Sequence, residues 1–148
     1  PVNLVKIAQD VVIQQAGNVP PLQVSYDQHE NLGVLGDEQK IAAILGHLVQ
    51  NAQEATQSDG FVKMELEREE KFALIKIIDN GSGMDERFIA ERLFKPFDTT
   101  KGNAGMGIGV YEARDYIVNQ SGHISVESEL GKGTVFSIRL PLLEPTIF

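Results

Sequence analysis

Residues 61–79 hold two runs, FVKMELERE and KFALIKIID, in which apolar side chains recur at every second position. Val62, Met64 and Leu66 alternate with Lys63, Glu65 and Glu67 in the first run, and Ala73, Ile75 and Ile77 carry the period through the second. On a helix these residues would scatter around the circumference; on a strand they share one face. Two such runs joined by a short charged turn predict an antiparallel hairpin with one face in a core. The second run then stops at IIDNGSGM, with Asp79 at its tip and Gly81 and Gly83 beyond it. A carboxylate at the end of a buried strand has to find donors. Glycines at alternate positions allow positive φ or the close approach of another group. An ordinary Asp-Asn-Gly turn has the same composition, so this segment alone leaves both a turn and a site open.

The other periods supply partners for the hairpin. Leu4, Ile7, Ala8, Val11 and Val12 recur at helical spacing until Gly17 and Pro20-Pro21 end the run. LQVSY (22–26) predicts a short strand and GVLG (33–36) a second one. Asp37 fits a helix N-cap, and Ile41, Ile44, Leu45, Leu48, Ala52 and Ala55 predict a helix from Glu38 to about Gln57. DERFIAERLF predicts a short helix, and IGVYEARDYIVNQSG a longer one beginning near Gly107 or Ile108 and closed by a glycine cap at Gly122. HISVESE and TVFSIRLP, joined by LGKG, predict a second hairpin. Strands separated by three long helices predict helices packed on one face of a mixed sheet, within a single domain spanning residues 1–148.

Composition narrows the function classes. The net charge is −8 and the acidic residues are spread along the chain, which argues against nucleic acid as a partner. A small anionic ligand stays open, because loop amides or a metal ion can hold phosphates on an acidic protein. With no cysteine, disulfides, thiol nucleophiles and thiolate metal sites are excluded. No apolar run approaches the ~18 residues needed to span a bilayer. The segment PVNLVKIAQDVV lacks the basic start and apolar block of a signal peptide. The chain is expected to be cytoplasmic and to come from the interior of a longer protein, one that an upstream segment could anchor in the inner membrane.

Three further segments could carry chemistry. On the helix from Glu38, His47, Asn51 and Glu54 fall at i, i+4 and i+7 and form one polar stripe, which is also what a solvated helix face looks like. In FKPFDTTK, Phe94 and Phe97 flank Pro96 and could root a loop or simply join the core. GNAGMGIG places Gly105, Gly107 and Gly109 just before a helix, whose free N-terminal amides suit phosphate. This is not a Walker-type loop, since the GKS or GKT ending is missing, and it does not follow its strand as a Rossmann turn would.

The order of these pieces resembles one family closely. An Asn-bearing helix, a strand ending Asp-x-Gly-x-Gly, Phe-x-Pro-Phe, and Gly-x-Gly-x-Gly opening a helix look like the ATP-binding catalytic domain of sensor histidine kinases. That domain belongs to the wider GHKL, or Bergerat-fold, group shared with type II topoisomerases, ATP-driven chaperones and mismatch-repair ATPases. The resemblance covers nearly the whole chain, including GKGTVFSIRLP. It implies an α/β (α+β) two-layer sandwich, with a mixed, mostly antiparallel sheet of about five strands packed under three helices.

It also implies roles. Asn51 would coordinate the Mg²⁺ that bridges the phosphates of ATP. Asp79 would accept from the adenine amino group, Gly81 and Gly83 would let the backbone lie against the purine, and Thr134 would help Asp79 hold a water at the adenine edge. The stretch from about Lys95 to Met106 would be a lid, and Gly105, Gly107 and Gly109 would bring amides to the phosphates. Lys101 either adds positive charge to the lid or stays solvated. Two positions depart from the family's usual pattern. His47 stands where Asn or an acid is common, and is read as a catalytic-site residue in metal-shell or phosphate contact, with action as a base or mere packing as the alternatives. Glu54 stands where many members have a basic residue, and as an anion it cannot reach phosphates in that role.

The acceptor histidine of such a kinase lies in a preceding dimerisation domain. His29-Glu30 sits in a predicted loop and is not expected to be it, and His123 opens a predicted strand. The resemblance therefore implies a catalytic domain that binds Mg-ATP, is unable to phosphorylate itself, and works within a homodimer that passes the phosphate to a response regulator. An anti-sigma-factor-type serine kinase of the same fold and a non-catalytic nucleotide-sensing module are the alternatives. A chaperone- or topoisomerase-type ATPase would want an acid at His47.

Overall fold

The computed structural model describes residues 1–27, 32–93 and 110–143. In chain order the elements are β1 (Val2–Asn3), α1 (Leu4–Gln14), β2 (Leu22–Tyr26), β3 (Gly33–Val34), α2 (Glu38–Ala55), β4 (Val62–Glu69) and β5 (Phe72–Asp79). There follow α3 (Glu86–Phe88), a π-helical turn (Ile89–Leu93), α4 (Val110–Asn119), β6 (His123–Glu129) and β7 (Gly133–Pro141). The expected hairpin forms: β4 and β5 pair antiparallel from Val62↔Asp79 to Glu69↔Phe72. The five-stranded sheet has the order β2-β4-β5-β7-β6, with β2 parallel to β4 and the other pairs antiparallel. It is the mixed, mostly antiparallel sheet under helices that the sequence predicts.

Residues paired across neighbouring strands share a face, so the register lays the core out in rows. One row is Tyr26, Leu66, Ile75, Ile138 and Ile124; the next is Val24, Met64, Ile77, Phe136 and Val126. These rows form one core with Leu4, Ile7 and Val11 of α1 and with Ile41, Ile44, Leu45 and Leu48 of α2. Met64, Ile75 and Ile138 are at most 1% exposed, and burying each such side chain contributes about 1.5–3 kcal/mol. The row beyond is Leu22, Val62, Asp79, Thr134 and Ser128. It lies on the same helix-covered face, yet it is apolar at one side and polar at the other. A polar corner is thus built into the end of the core.

The helices start where capping chemistry allows. Asp37 caps α2, accepting from the amides of Gln39 (2.9 Å) and Lys40 (3.2 Å), and Asn3 caps α1 by accepting from Val5 at 2.9 Å. α2 stops at Ala55, two residues short of the expected end. Thr56 turns extended (φ −116°, ψ 138°), and its hydroxyl donates to the Ala52 carbonyl at 2.7 Å.

Three further expectations change. GVLG gives only the two residues of β3, which pair with β1 rather than with the main sheet. DERFIAERLF splits into one α-turn, capped by Asp85 accepting from Phe88, and the π-helical turn. At the end of α4 the left-handed residue is Ser121 (φ 64°), not Gly122. Gly122 closes the turn by donating to Ile117 at 2.9 Å. It must be glycine because a Cβ there would run into the carbonyl oxygen of Arg139 on β7. Among the described residues no helix is long and apolar enough to cross a membrane.

Candidate functional site

The polar corner is organised around Asp79. Its period-2 phase with Ile75 and Ile77 turns it under the helices, where it is 7% exposed, and its cross-strand neighbour Thr134 is 8% exposed. The Gly81 amide donates to Asp79 Oδ1 at 2.8 Å, closing an Asx-type turn. The Thr134 amide lies near enough to favour the charged carboxylate as well. Burial raises the Asp79 carboxyl above its ordinary value of 3.8, and the Gly81 and Thr134 amides offset part of that rise. Among the described residues the side chain is an acceptor held by a backbone donor, not by a cation.

The turn after Asp79 is stitched to its surroundings nearly residue by residue. Asn80 Oδ1 accepts from the Phe61 amide at 2.8 Å, the Ser82 amide donates to Ala55 at 3.0 Å, and the Ser82 carbonyl accepts from Gly131 at 2.8 Å. The Met84 amide donates to Ser128 Oγ at 2.8 Å. Both glycines of the turn have a reason inside the protein. A Cβ on Gly81 would strike the Ala55 carbonyl oxygen and come within 2.7 Å of Thr56 Oγ1. Gly83 has φ +72°, and a Cβ there would overlap the Glu129 carbonyl. The close approach inferred from the sequence is real, and its partners here are α2 and the β6–β7 turn.

α2 brings the other polar groups to this corner. Ala55, which holds Ser82, lies four residues beyond Asn51, so the two share a helix face about 6 Å apart along the axis. Asn51 Nδ2 lies 3.2 Å from His47 Nε2, and both residues are half-buried. With the amide NH₂ donating, Nε2 of a neutral His47 is the acceptor, and Asn51 Oδ1 turns away from the ring. Glu54 is exposed.

The sequence-predicted residues Asp79, Gly81, Gly83 and Thr134 therefore gather at one end of the sheet, and Asn51 and His47 lie about one and two turns back along α2 from Ala55, which touches that corner. Lys101, Gly105, Gly107, Gly109, the Lys95–Met106 lid, Phe94, Phe97 and the His29-Glu30 pair lie outside the described residues. Sequence reasoning misses Ser128, although HISVESE places it in phase with Ile124 and Val126 and thus on the same face as Asp79. His123 is structural, with its ring 6.1 Å from that of Phe72. A separate concavity lined by Ser25, Tyr26, Asp27 and Glu65–Arg68 lies toward the other end of β4. Its lining carries three carboxylates (Asp27, Glu65, Glu67) against one cation, Arg68.

Residues 36–144 match the model of the histidine kinase-, DNA gyrase B- and HSP90-like ATPases. The chain belongs to this ATPase family. The match spans the helix bearing Asn51, the Asp79 turn and the closing hairpin. Among relatives, the sensor histidine kinase RppB of Synechocystis is 32% identical over 116 residues, covering 76% of this chain and 26% of that protein. The nucleotide-free catalytic domain of the histidine kinase ThkA is 28% identical with a TM-score of 0.79, covering 95% of both chains. ThkA in complex with the response regulator TrrA is 26% identical with a TM-score of 0.77, covering 96% of this chain and 41% of that one. The chain thus spans about a quarter of the length of RppB, and it has the α+β sandwich of a histidine kinase ATPase domain.

Proposed function

We propose that this chain is the ATP-binding catalytic domain of a two-component sensor histidine kinase. It would bind Mg-ATP and present the γ-phosphoryl group to a histidine on a separate dimerisation domain of the same kinase. A response regulator would then take the phosphoryl group onto an aspartate. The observation that carries the reading is Asp79. It is a buried carboxylate without a cationic partner among the described residues, held by the Gly81 amide at the end of a core strand and raised in pKa by burial. A group so placed costs stability when ionised, and an exocyclic amine is the donor that would use it. Kinship to RppB and to ThkA with its regulator supports the phosphotransfer role and the partners.

The residues on α2 fit a magnesium ion that arrives with its nucleotide. Mg²⁺ takes hard oxygen ligands and is commonly held by one or two protein groups plus phosphates and water. Among the described residues no group of three His, Cys, Asp or Glu could hold a metal. Asn51 Oδ1 is an oxygen of the right kind, and when the Asn51 NH₂ donates across the 3.2 Å contact to His47 that oxygen faces away from the ring. His47 then acts on the ion through Asn51 rather than as a ligand. When bound, Mg²⁺ would neutralise phosphate charge and help align the γ-phosphoryl group. Gly81, Gly83 and Thr134 would line the purine end. The lid residues Lys101, Gly105, Gly107 and Gly109 would close over the phosphates.

Calorimetric titration with a non-hydrolysable ATP analogue, with and without Mg²⁺, tests this. The parent should bind more tightly with the ion, and Asn51→Ala should lose most of that difference while keeping the parent's metal-free affinity. A parent that binds no nucleotide, or an Asn51→Ala variant that keeps the full magnesium effect, would overturn the assignment. Labelled ATP should leave no phosphohistidine on the chain alone, because the acceptor belongs to the dimerisation domain.

A further inference from the structure

Ser128 stands at the centre of a closed hydrogen-bond system that the nucleotide reading does not use. Its Oγ lies 2.8 Å from the Met84 amide, 2.8 Å from the Gly133 carbonyl and 2.7 Å from Thr134 Oγ1. The amide can only donate and the carbonyl can only accept. A serine hydroxyl has one proton and two lone pairs. If the proton goes to Gly133, one lone pair takes the Met84 N–H, and the remaining lone pair faces Thr134. Only one arrangement then satisfies all three contacts: Thr134 donates its own proton to Ser128. Thr134 Oγ1 is left with lone pairs alone for any other neighbour. The neighbour across the β5–β7 ladder is Asp79, which as a carboxylate is also an acceptor only.

We propose that Ser128 is a positioning residue that fixes the direction of the Thr134 hydroxyl and so makes the base-reading corner acceptor-only, which selects 6-amino over 6-oxo purine nucleotides. The proposal rests on the nucleotide reading above and deepens it. A 6-amino purine brings two N–H donors to a corner that offers acceptors. A 6-oxo purine brings a carbonyl oxygen, which would meet the Asp79 carboxylate and the Thr134 lone pairs, leaving buried acceptors opposed. Asp79 alone supplies part of this discrimination. Without Ser128, however, Thr134 regains a mobile proton. It can then donate to a 6-oxo group, or to Asp79 and so weaken Asp79 as the acceptor for an amine. Both outcomes move the two affinities toward each other.

The Mg-ATP and Mg-GTP affinities of the parent, Ser128→Ala, Ser128→Cys and Ser128→Thr, measured by calorimetry, test it, with thermal midpoints recorded alongside. Ser128→Ala should shrink the ATP-to-GTP affinity ratio about tenfold, whereas Ser128→Thr, which keeps a hydroxyl on a strand that suits a β-branched residue, should keep the parent ratio. A purely structural role would weaken both nucleotides together and leave the ratio level. Ser128→Cys fills the same space with a poor acceptor, so it should follow Ser128→Ala and decides the matter if the alanine variant does not fold. A folded Ser128→Ala or Ser128→Cys variant with the parent ratio overturns this proposal and leaves the nucleotide reading standing. A parent that binds neither nucleotide overturns both.

Discussion

Asp79→Asn is expected to weaken ATP binding on the order of 100-fold while the thermal midpoint stays level or rises. The two halves of that result have one cause. The Gly81 amide donates to Asp79 Oδ1 at 2.8 Å, so in the variant it claims the single amide oxygen. The NH₂ group is then left to face the pocket, opposing the amino group of adenine donor to donor. Stability moves the other way because burial raises the Asp79 pKa above 3.8. A carboxyl that holds its proton longer when folded than when unfolded stabilises the fold below the unfolded value of 3.8. It loses that contribution as pH rises through the folded value. At neutral pH the parent carries the cost of a buried charge, and asparagine removes it. The same shift means that ATP affinity should fall as pH drops through the raised Asp79 pKa, and the variant should lack this titration. Calorimetry across pH with parallel melting curves reads both. An Asp79→Asn variant that lost nucleotide and also melted early would make Asp79 a structural support instead.

Much of this corner is legible in the sequence because two periodicities define it. Period 2 through Ile75 and Ile77 is enough to put Asp79 on the core face, and helical spacing puts Asn51 and His47 on one stripe of α2. Pairing between distant segments leaves no such trace. Period 2 through Ile124 and Val126 puts Ser128 on the core side of its own strand, but only the β6–β7 register sets it opposite Thr134. The glycines show the right property in the sequence but not the right neighbour. Local sequence shows that Gly81 and Gly83 tolerate close approach, while only the fold shows that Ala55 and Glu129 already make it. The shift of the left-handed residue from Gly122 to Ser121 has the same origin, because β7 occupies the space beside Gly122 and so decides what stands there. β1 is too short to leave a pattern; two residues cannot display a period.

Gly83→Ala should cost more than about 3 kcal/mol of stability, whereas Gly131→Ala should cost about 1 kcal/mol, although both positions have a similar positive φ. Gly83 has φ +72° and Gly131 φ +80°, so the conformational penalty of an L side chain is shared. They differ in surroundings. Nothing lies within 4 Å of a Cβ on Gly131, while a Cβ on Gly83 would overlap the Glu129 carbonyl and stand 3.2 Å from the carbonyl oxygen of Gly133. Those atoms belong to the β6–β7 turn, whose backbone cannot retreat alone. Gly131 donates to Ser82 at 2.8 Å and Ser128 holds the Met84 amide, so pushing the turn away breaks the bonds on either side of Gly83. Denaturant melts of the two variants give the comparison directly, with the Gly131 variant subtracting the shared φ penalty. Nucleotide affinity should fall with stability in Gly83→Ala, because displacing the turn moves Ser128 and, through it, Thr134. If Gly83→Ala instead folded as stably as Gly131→Ala and lost only nucleotide, the glycine would be there for the ligand, and the packing reason would fall.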